Sequence, residues 1–166
     1  MFHWKIVADW PYHIIRLLLA GVFLYAGSSK LMDPEAFAVV IEAFGLVPDG
    51  WTGPLSFWLP LCEVAAAVAL VLDLRGSLGA VGFLLVLFLA VLGYGLWLGL
   101  DVDCGCFGPD DAEARAYSGL RPSFHRDWAM VAGVIFLYVW RGRRGLAPLN
   151  PLVALKGILK EDKQWG

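Results

Sequence analysis

Long apolar segments separated by short polar links run through most of the chain. Three of them, at about residues 12–31, 54–72 and 77–100, reach the length of about 20 mostly apolar residues that a helix needs to cross a bilayer. The segment at 77–100 has no charged side chain, whereas a fourth segment, at about 127–141, is shorter and begins beside charged residues. The pattern predicts an all-α integral membrane four-helix bundle, with the whole chain, 1–166, as one domain.

The polar links predict how the helices connect. Asp33 is a good N-cap, Pro34 suits the first helical position and Gly45 suits the end of a helix, so a short outer amphipathic helix is expected at about 34–44. The link at 73–76 is short enough for an antiparallel helical hairpin. The tail at 142–166 is expected on the cytoplasmic side, with a second short amphipathic helix at the membrane interface.

Composition supports a membrane location. Of the 166 residues, 59% are hydrophobic and 17% are charged, and the mean hydropathy is +0.66. Soluble domains are about 45–50% apolar and about 25% charged, and a domain of this size has too small an interior to bury the excess. Lipid is therefore an expected partner. Nucleic acid is not, because Lys and Arg form no large patch interleaved with aromatic residues.

The distribution of basic residues predicts the orientation. With the N-terminus inside, nine of the 13 Lys and Arg residues lie on the inner side and four lie outside. No small-residue cleavage site follows the first apolar run, so that run is expected to stay in the membrane. These features predict a multi-pass protein of the bacterial inner membrane with both termini in the cytoplasm.

The third apolar segment is followed by two closely spaced cysteines, Cys104 and Cys106, on the predicted outer side. Gly105 between them permits a tight disulfide ring, disulfides persist in an oxidising compartment, and strained exposed disulfides exchange readily. The nearby Asp101 and Asp103 disfavour the thiolate, so the pair is expected as a disulfide or as thiols activated by a partner. A permanent structural clip and a soft-metal site remain open alternatives.

Glu63 is a carboxylate inside a predicted span, where an ionisable residue is a candidate functional group. Lys30 is its first candidate partner and Arg126 its second. A pair that only fixes helix packing is an equally good interpretation. The adjoining Cys62 is expected to be a buried, inert small side chain, although a relay thiol is an alternative.

The triplet His125, Arg126 and Asp127 is expected to open the fourth helix, with Asp127 as its cap. His125 is a candidate proton donor, anion contact or metal ligand beside the two thiols. A simple polar start of the helix at the membrane interface is the plainer interpretation.

Several stretches together resemble the MauE/DoxX group of redox-associated membrane proteins. They are residues 16–18, 27–31, 33–37, 59–63, 103–108 and 126–127. The Cys-Gly-Cys-Phe-Gly sequence at 104–108 is the most specific of them and resembles the MauE branch. The resemblance implies a four-helix bundle and a role beside periplasmic thioredoxin-like proteins, as in maturation of the disulfide-rich small subunit of methylamine dehydrogenase.

The leading functional prediction is a membrane thiol–disulfide protein. Cys104 and Cys106 would exchange electrons with an extracytoplasmic thioredoxin-like or other redox partner. A quinone is the candidate cofactor, bound near four polar residues: Glu63, His125, Arg126 and Lys30. Quinone-linked disulfide-forming proteins carry Cys-x-x-Cys pairs, in contrast to the Cys-x-Cys pair of this chain. The alternatives are a non-catalytic scaffold for a periplasmic redox enzyme or metalloenzyme, and a soft-metal transfer protein.

Overall fold

The structure is a computed structural model that describes residues 9–48, 50–99, 120–145 and 148. Over these residues the protein is all-helical and has no β-strand. Its helices are α1 (Trp10–Met32), α2 (Pro34–Phe44), α3 (Thr52–Val71), α4 (Ser77–Leu98) and α5 (Leu120–Arg144). The cysteine loop and nearly all of the predicted cytoplasmic tail lie outside the described residues.

Helices α1, α3 and α4 are each long and apolar enough to cross a membrane, and in the described part of the chain they alone meet that criterion. Their outward faces carry large exposed apolar side chains, including Leu18, Phe83 and Trp97. Apolar surface of this extent is stable in lipid but not in water. The prediction of a multi-pass helical membrane protein is therefore confirmed.

Helix α5 differs from its predicted form. It begins at Leu120, upstream of the predicted start near residue 127, so Asp127 lies inside the helix and does not cap it. The charged residues that were expected to open the helix lie within it, and Arg126 pairs with the buried Asp127. With 25 residues the helix is about 37 Å long, and basic residues lie in its last turn.

Helix α2 forms as the sequence predicts. The Asp33 carboxylate accepts a hydrogen bond from the Ala36 amide at 2.9 Å, and Pro34 occupies the first helical position. Gly45 ends the helix at φ 62°, a left-handed conformation that glycine adopts without strain. Phe37 and Phe44 are buried, and the helix packs against α1 and α3.

The main core lies among the four long helices. Ala66 and Ala67 of α3 are buried in it, and Gly27 of α1 lies against the same helix. Small side chains at such positions allow helix backbones to approach closely in a membrane. The larger buried members of this core are Leu19, Phe23, Leu70, Leu78, Val81, Leu85, Val134 and Leu137.

A partly buried polar cluster ties three parts of the chain together at one end of the protein. Asp73, in the link between α3 and α4, is bound by Arg16 at 2.8 Å, by Arg141 and by the Tyr12 hydroxyl at 3.0 Å. The Trp140 indole donates a hydrogen bond to Asp9 at 3.1 Å. The start of α1, the α3–α4 link and the end of α5 therefore lie together.

Candidate functional site

The centre of the candidate site is an ion pair between α1 and α3. Lys30 Nζ lies 2.6 Å from Glu63 Oε1, and the two side chains are only 4% and 1% exposed. Lys30, the first partner that the sequence offered for Glu63, is thus in direct contact with it. The desolvation of a buried pair is costly, so the pair is weak evidence for stability and stronger evidence for a specific role.

Two aromatic rings complete the surroundings of the ammonium group. Lys30 Nζ lies 5.0 Å from the Phe37 ring centroid and 4.8 Å from that of Phe88. These are cation–π distances, and such contacts strengthen when the cation is desolvated. Helix α2 therefore covers the ion pair with Phe37, and α4 supports it with Phe88.

The two carboxylate oxygens of Glu63 differ in their hydrogen bonding. No hydrogen-bond donor in the described part of the chain reaches Glu63 Oε2, although the atom is buried. A buried acceptor without a donor costs free energy. The carboxylate of Glu63 therefore has one oxygen, Oε1, that is paired with Lys30, and one oxygen, Oε2, that is free among the described residues to accept a hydrogen bond.

Helix α5 contributes a second charged pair. Arg126 Nε and Nη2 each lie 3.2 Å from Asp127 Oδ1, and the Asp127 side chain is almost fully buried. The two residues are adjacent in sequence, so the pairing is local to the helix. They bring a cation and an anion to the wall of the same space that Lys30 and Glu63 line.

These four charged residues line one cavity of about 250 Å³ between the helices. Every helix in the described part of the chain contributes to its wall, as does the link between α2 and α3. The rest of the wall is apolar and includes Phe23, Val40, Phe44, Leu55, Leu59, Leu87, Val91, Leu92 and Met130. A concave apolar space with a few polar groups is the usual form of a small-molecule site.

The sequence-predicted site residues separate into three groups. Lys30, Glu63 and Arg126 lie on the wall of this cavity, whereas His125 is absent from that wall and is exposed on α5. His125 Nδ1 lies 2.7 Å from the backbone carbonyl oxygen of Arg121. Cys104 and Cys106 lie outside the described residues. Within those residues there is no group of three metal-ligating side chains, and the soft-metal alternative depends on the two cysteines.

The interpretation of Cys62 as a buried side chain was wrong, because it is exposed on the outside of α3. The inward face of this helix carries Pro60, Glu63, Ala67 and Leu70, which follow helical spacing. A residue adjacent to Glu63 is turned by about 100° from it, so Cys62 points away from the core. The same periodicity, read from the sequence, could have predicted this.

Sequence reasoning missed Phe37 and Phe88 as partners of the ion pair, and Asp127 as part of the cavity wall. Phe37 was assigned only to an amphipathic face, and Phe88 is one apolar residue among many in α4. Neither phenylalanine has a neighbour in the sequence that indicates a contact with Lys30. The role of Asp127 could have been recognised from sequence, because a carboxylate that adjoins the apolar segment of a membrane helix needs a partner such as the neighbouring Arg126.

Residues 8–141 match the family model described as methylamine utilisation protein MauE. The chain belongs to the MauE family. The resemblance to the MauE family is thereby confirmed. The wider link to DoxX proteins and the assignment of the Cys-Gly-Cys-Phe-Gly sequence as a MauE motif stay predictions. No solved structure matches the chain.

Two curated MauE-family relatives come from Paracoccus. The chain is 37% identical over 97 residues to the methylamine utilization protein MauE of Paracoccus denitrificans, which covers 56% of this chain and 52% of that protein. It is 31% identical over 123 residues to the protein of the same name from Paracoccus versutus, covering 71% and 59%. The matches thus span between half and three fifths of those relatives.

Proposed function

We propose that this MauE-family chain passes electrons from an extracytoplasmic thiol partner to a membrane quinone, and so supports disulfide formation in that partner. The observation that carries the proposal is the apolar cavity with the Lys30–Glu63 pair in its wall. A quinone combines a small polar ring with an apolar tail, and it is dissolved in the lipid around the helices. The cavity offers polar contacts for the ring and apolar walls for the first part of the tail.

Cys104 and Cys106 are the proposed thiol–disulfide pair. Their disulfide would accept two electrons and two protons from a partner dithiol, which becomes a disulfide, by thiol–disulfide exchange. The resulting Cys104 and Cys106 thiols would then give two electrons and two protons to a quinone, yielding a hydroquinone and the restored disulfide. The two steps balance and leave the chain unchanged.

The proposal places the protein in the bacterial inner membrane with α5 as a fourth span. Ile135, Tyr138 and Val139 are exposed apolar positions on α5, which suits a helix facing lipid. Basic residues in its last turn and the shared position of the α1 start and the α5 end support cytoplasmic ends for both helices. The cysteine loop would then face the extracytoplasmic side.

The partner is proposed from the relatives. Both curated relatives are named for methylamine utilization, so we infer that the partner here is a protein of that process. A thioredoxin-like protein that oxidises methylamine dehydrogenase, or the enzyme subunit itself, has the required dithiol chemistry. The partner would approach the acidic outer loop that carries the two cysteines.

Thiol turnover in the purified chain tests this function. The full chain in lipid nanodiscs is reduced, freed of reductant and mixed with decylubiquinone under argon. We expect the Cys104 and Cys106 thiols to disappear together while one equivalent of quinone is reduced. Cys62→Ala is the matched control, because this exposed cysteine has no part in the proposed reaction and its loss leaves turnover unchanged.

A reduced Cys104–Cys106 pair that alkylating reagents reach but quinone never oxidises would contradict the proposal.

The non-catalytic scaffold is the second candidate function. The partly buried Asp73 cluster favours it, because such a cluster joins three chain segments without providing chemistry. If the double variant Cys104→Ser/Cys106→Ser supports the partner's disulfide formation in cells as well as the wild type does, the scaffold is the correct function.

A further inference from the structure

We infer that the cavity recognises the hydroquinone form of its ligand in preference to the quinone, with Glu63 Oε2 accepting a hydrogen bond from a ligand hydroxyl. This inference rests on the proposed function and concerns the redox form of the ligand at the same site. It assigns separate tasks to the two oxygens of one carboxylate.

The difference between the two carboxylate oxygens carries the argument. Lys30 occupies Glu63 Oε1 at 2.6 Å, whereas Oε2 is buried and has no donor within the described residues. Buried polar atoms in proteins are nearly always hydrogen-bonded. A carboxylate oxygen can only accept, so the ligand that completes this site must offer an O–H or N–H group.

The two redox forms of a quinone differ in this property. A quinone ring presents carbonyl oxygens, which only accept, and a carbonyl placed beside Glu63 Oε2 would bring two sets of lone pairs together. A hydroquinone presents hydroxyl groups. One hydroxyl can donate to Glu63 Oε2 while its oxygen accepts from Lys30 Nζ, so the reduced ring uses both partners and the oxidised ring only Lys30.

The remaining contacts of Lys30 agree with an aromatic ligand head. The ammonium group has three N–H donors, of which the short contact with Glu63 uses one. The rings of Phe37 and Phe88 lie beside the same nitrogen and make cation–π contacts with it, but they accept no conventional hydrogen bond from its N–H groups. A ligand oxygen is a stronger partner for a further donor, and the flanking rings provide apolar surface for a planar head.

The hydrogen-bonding groups of the wall argue against the phosphate headgroup of a phospholipid. A phosphate presents acceptor oxygens to Glu63 Oε2, which is itself an acceptor and repels them. The two cations of the wall, Lys30 and Arg126, are already paired with Glu63 and Asp127, so the four charges balance. Acyl chains could still occupy the apolar part of the cavity. A hydroquinone is neutral and brings donors, so it avoids this repulsion.

The preference has a consequence for electron flow. Hydroquinone is the reduced product when quinone takes two electrons and two protons from the Cys104 and Cys106 thiols. A site that binds this product more tightly favours reduction of the bound quinone. Hydrogen bonds to charged groups contribute enough free energy that hydroquinone binding is expected to be roughly tenfold to a hundredfold tighter than quinone binding.

Binding is measured on the Cys104→Ser/Cys106→Ser full chain in nanodiscs, so that no thiol reaction changes the ligand. Equilibrium dialysis under argon compares decylubiquinol, decylubiquinone and the dimethyl ether of decylubiquinol. We expect the hydroquinone to bind on the order of tenfold to a hundredfold more tightly than the quinone. The dimethyl ether has the shape of the hydroquinone but no donor, so it should lose that advantage.

Variants locate the effect. Glu63→Gln replaces the acceptor-only carboxylate with an amide that also donates, and it is expected to abolish or reverse the preference for hydroquinone. The exposed Glu35→Gln is the matched control and should keep the preference. The double variant Lys30→Met/Glu63→Leu removes both charges together, so it avoids leaving one ion unpaired. It should still bind decylubiquinone and show no preference.

Equal binding of both redox forms by the wild type, or a preference that survives in Glu63→Gln, would overturn the inference. So would a tightly bound phospholipid that neither redox form displaces. These outcomes are separate from failure of the proposed function. A chain that prefers hydroquinone but whose thiols never react with quinone would contradict the electron-transfer role and leave the ligand assignment in place.

Discussion

Gly27 marks the closest approach of α1 to α3, one helical turn before Lys30 on the same face of α1. A Cβ at this position would lie 2.9 Å from Val64 Cγ2 and 3.1 Å from both Glu63 Cβ and the Pro60 carbonyl oxygen. Carbon atoms pack at about 3.5–4.0 Å, so the substitution Gly27→Ala requires the helices to move apart by roughly 0.5 Å. Overpacking of this kind costs about 1–3 kcal/mol.

A matched glycine separates packing from helix propensity. Gly21 lies two turns earlier in the same helix and is exposed, and a Cβ there would have no heavy atom within 4 Å. Gly→Ala within a helix adds up to about 1 kcal/mol of intrinsic helix preference, and both variants share that gain. The difference between Gly27→Ala and Gly21→Ala should therefore report the packing cost of about 1–3 kcal/mol.

The assay is reversible unfolding by sodium dodecyl sulfate in mixed micelles, followed by circular dichroism and tryptophan fluorescence. In Gly27→Ala the wider separation of α1 and α3 should also lengthen the 2.6 Å contact between Lys30 and Glu63 and weaken ligand binding. If Gly27→Ala unfolds within about 0.5 kcal/mol of Gly21→Ala, the close approach of α1 to α3 is refuted.

Three further predictions concern other parts of the fold. Asp73→Asn removes the charge that two partly buried arginines share and should destabilise the protein by about 2 kcal/mol in the same unfolding assay, whereas the exposed Arg75→Gln should change stability by less than about 0.5 kcal/mol. Asp33→Ala removes the cap of α2 and should cost about 1 kcal/mol in local hydrogen exchange, while Asp33→Asn should retain the cap. Cys62, exposed near the middle of α3, should resist a membrane-impermeant maleimide in intact membranes and react once detergent unfolds the chain.

Each of these predictions has a contradicting result. Unfolding of Asp73→Asn at the wild-type midpoint would show that the cluster contributes no net stability. Equal exchange rates in Asp33→Ala and Asp33→Asn would remove the capping role of that side chain. Rapid labelling of Cys62 in sealed vesicles would mean that this face of α3 contacts water, and the assignment of α3 as a span would fail.

The elements that the sequence predicted well are those with local causes. Asp33, Pro34 and Gly45 each act on backbone groups within a few residues, so the bounds of α2 follow from them. The spans at α1, α3 and α4 follow from length and apolarity, because unpaired backbone groups are not tolerated in lipid. The start of α5 was misplaced because its polar first turns depend on pairing and burial.

The candidate site was only partly accessible from sequence. Glu63 is conspicuous because it is the one carboxylate within the three long apolar segments, and Lys30 was its first candidate partner. Which of its oxygens is paired, and which aromatic rings cover Lys30, depends on how α2 and α4 pack. His125 was a further candidate in the sequence, yet it is exposed on α5 and absent from the cavity wall.

Residue order alone was enough to establish a helical membrane protein, its three clearest spans and the capped helix between the first two, because these depend on burial in lipid and on short-range hydrogen bonds. The tertiary structure decided the rest. It placed Lys30, Glu63, Arg126 and Asp127 around one cavity and left Glu63 Oε2 without a donor among the described residues. Such an arrangement joins side chains from separate helices, and its geometry depends on packing that no local pattern encodes.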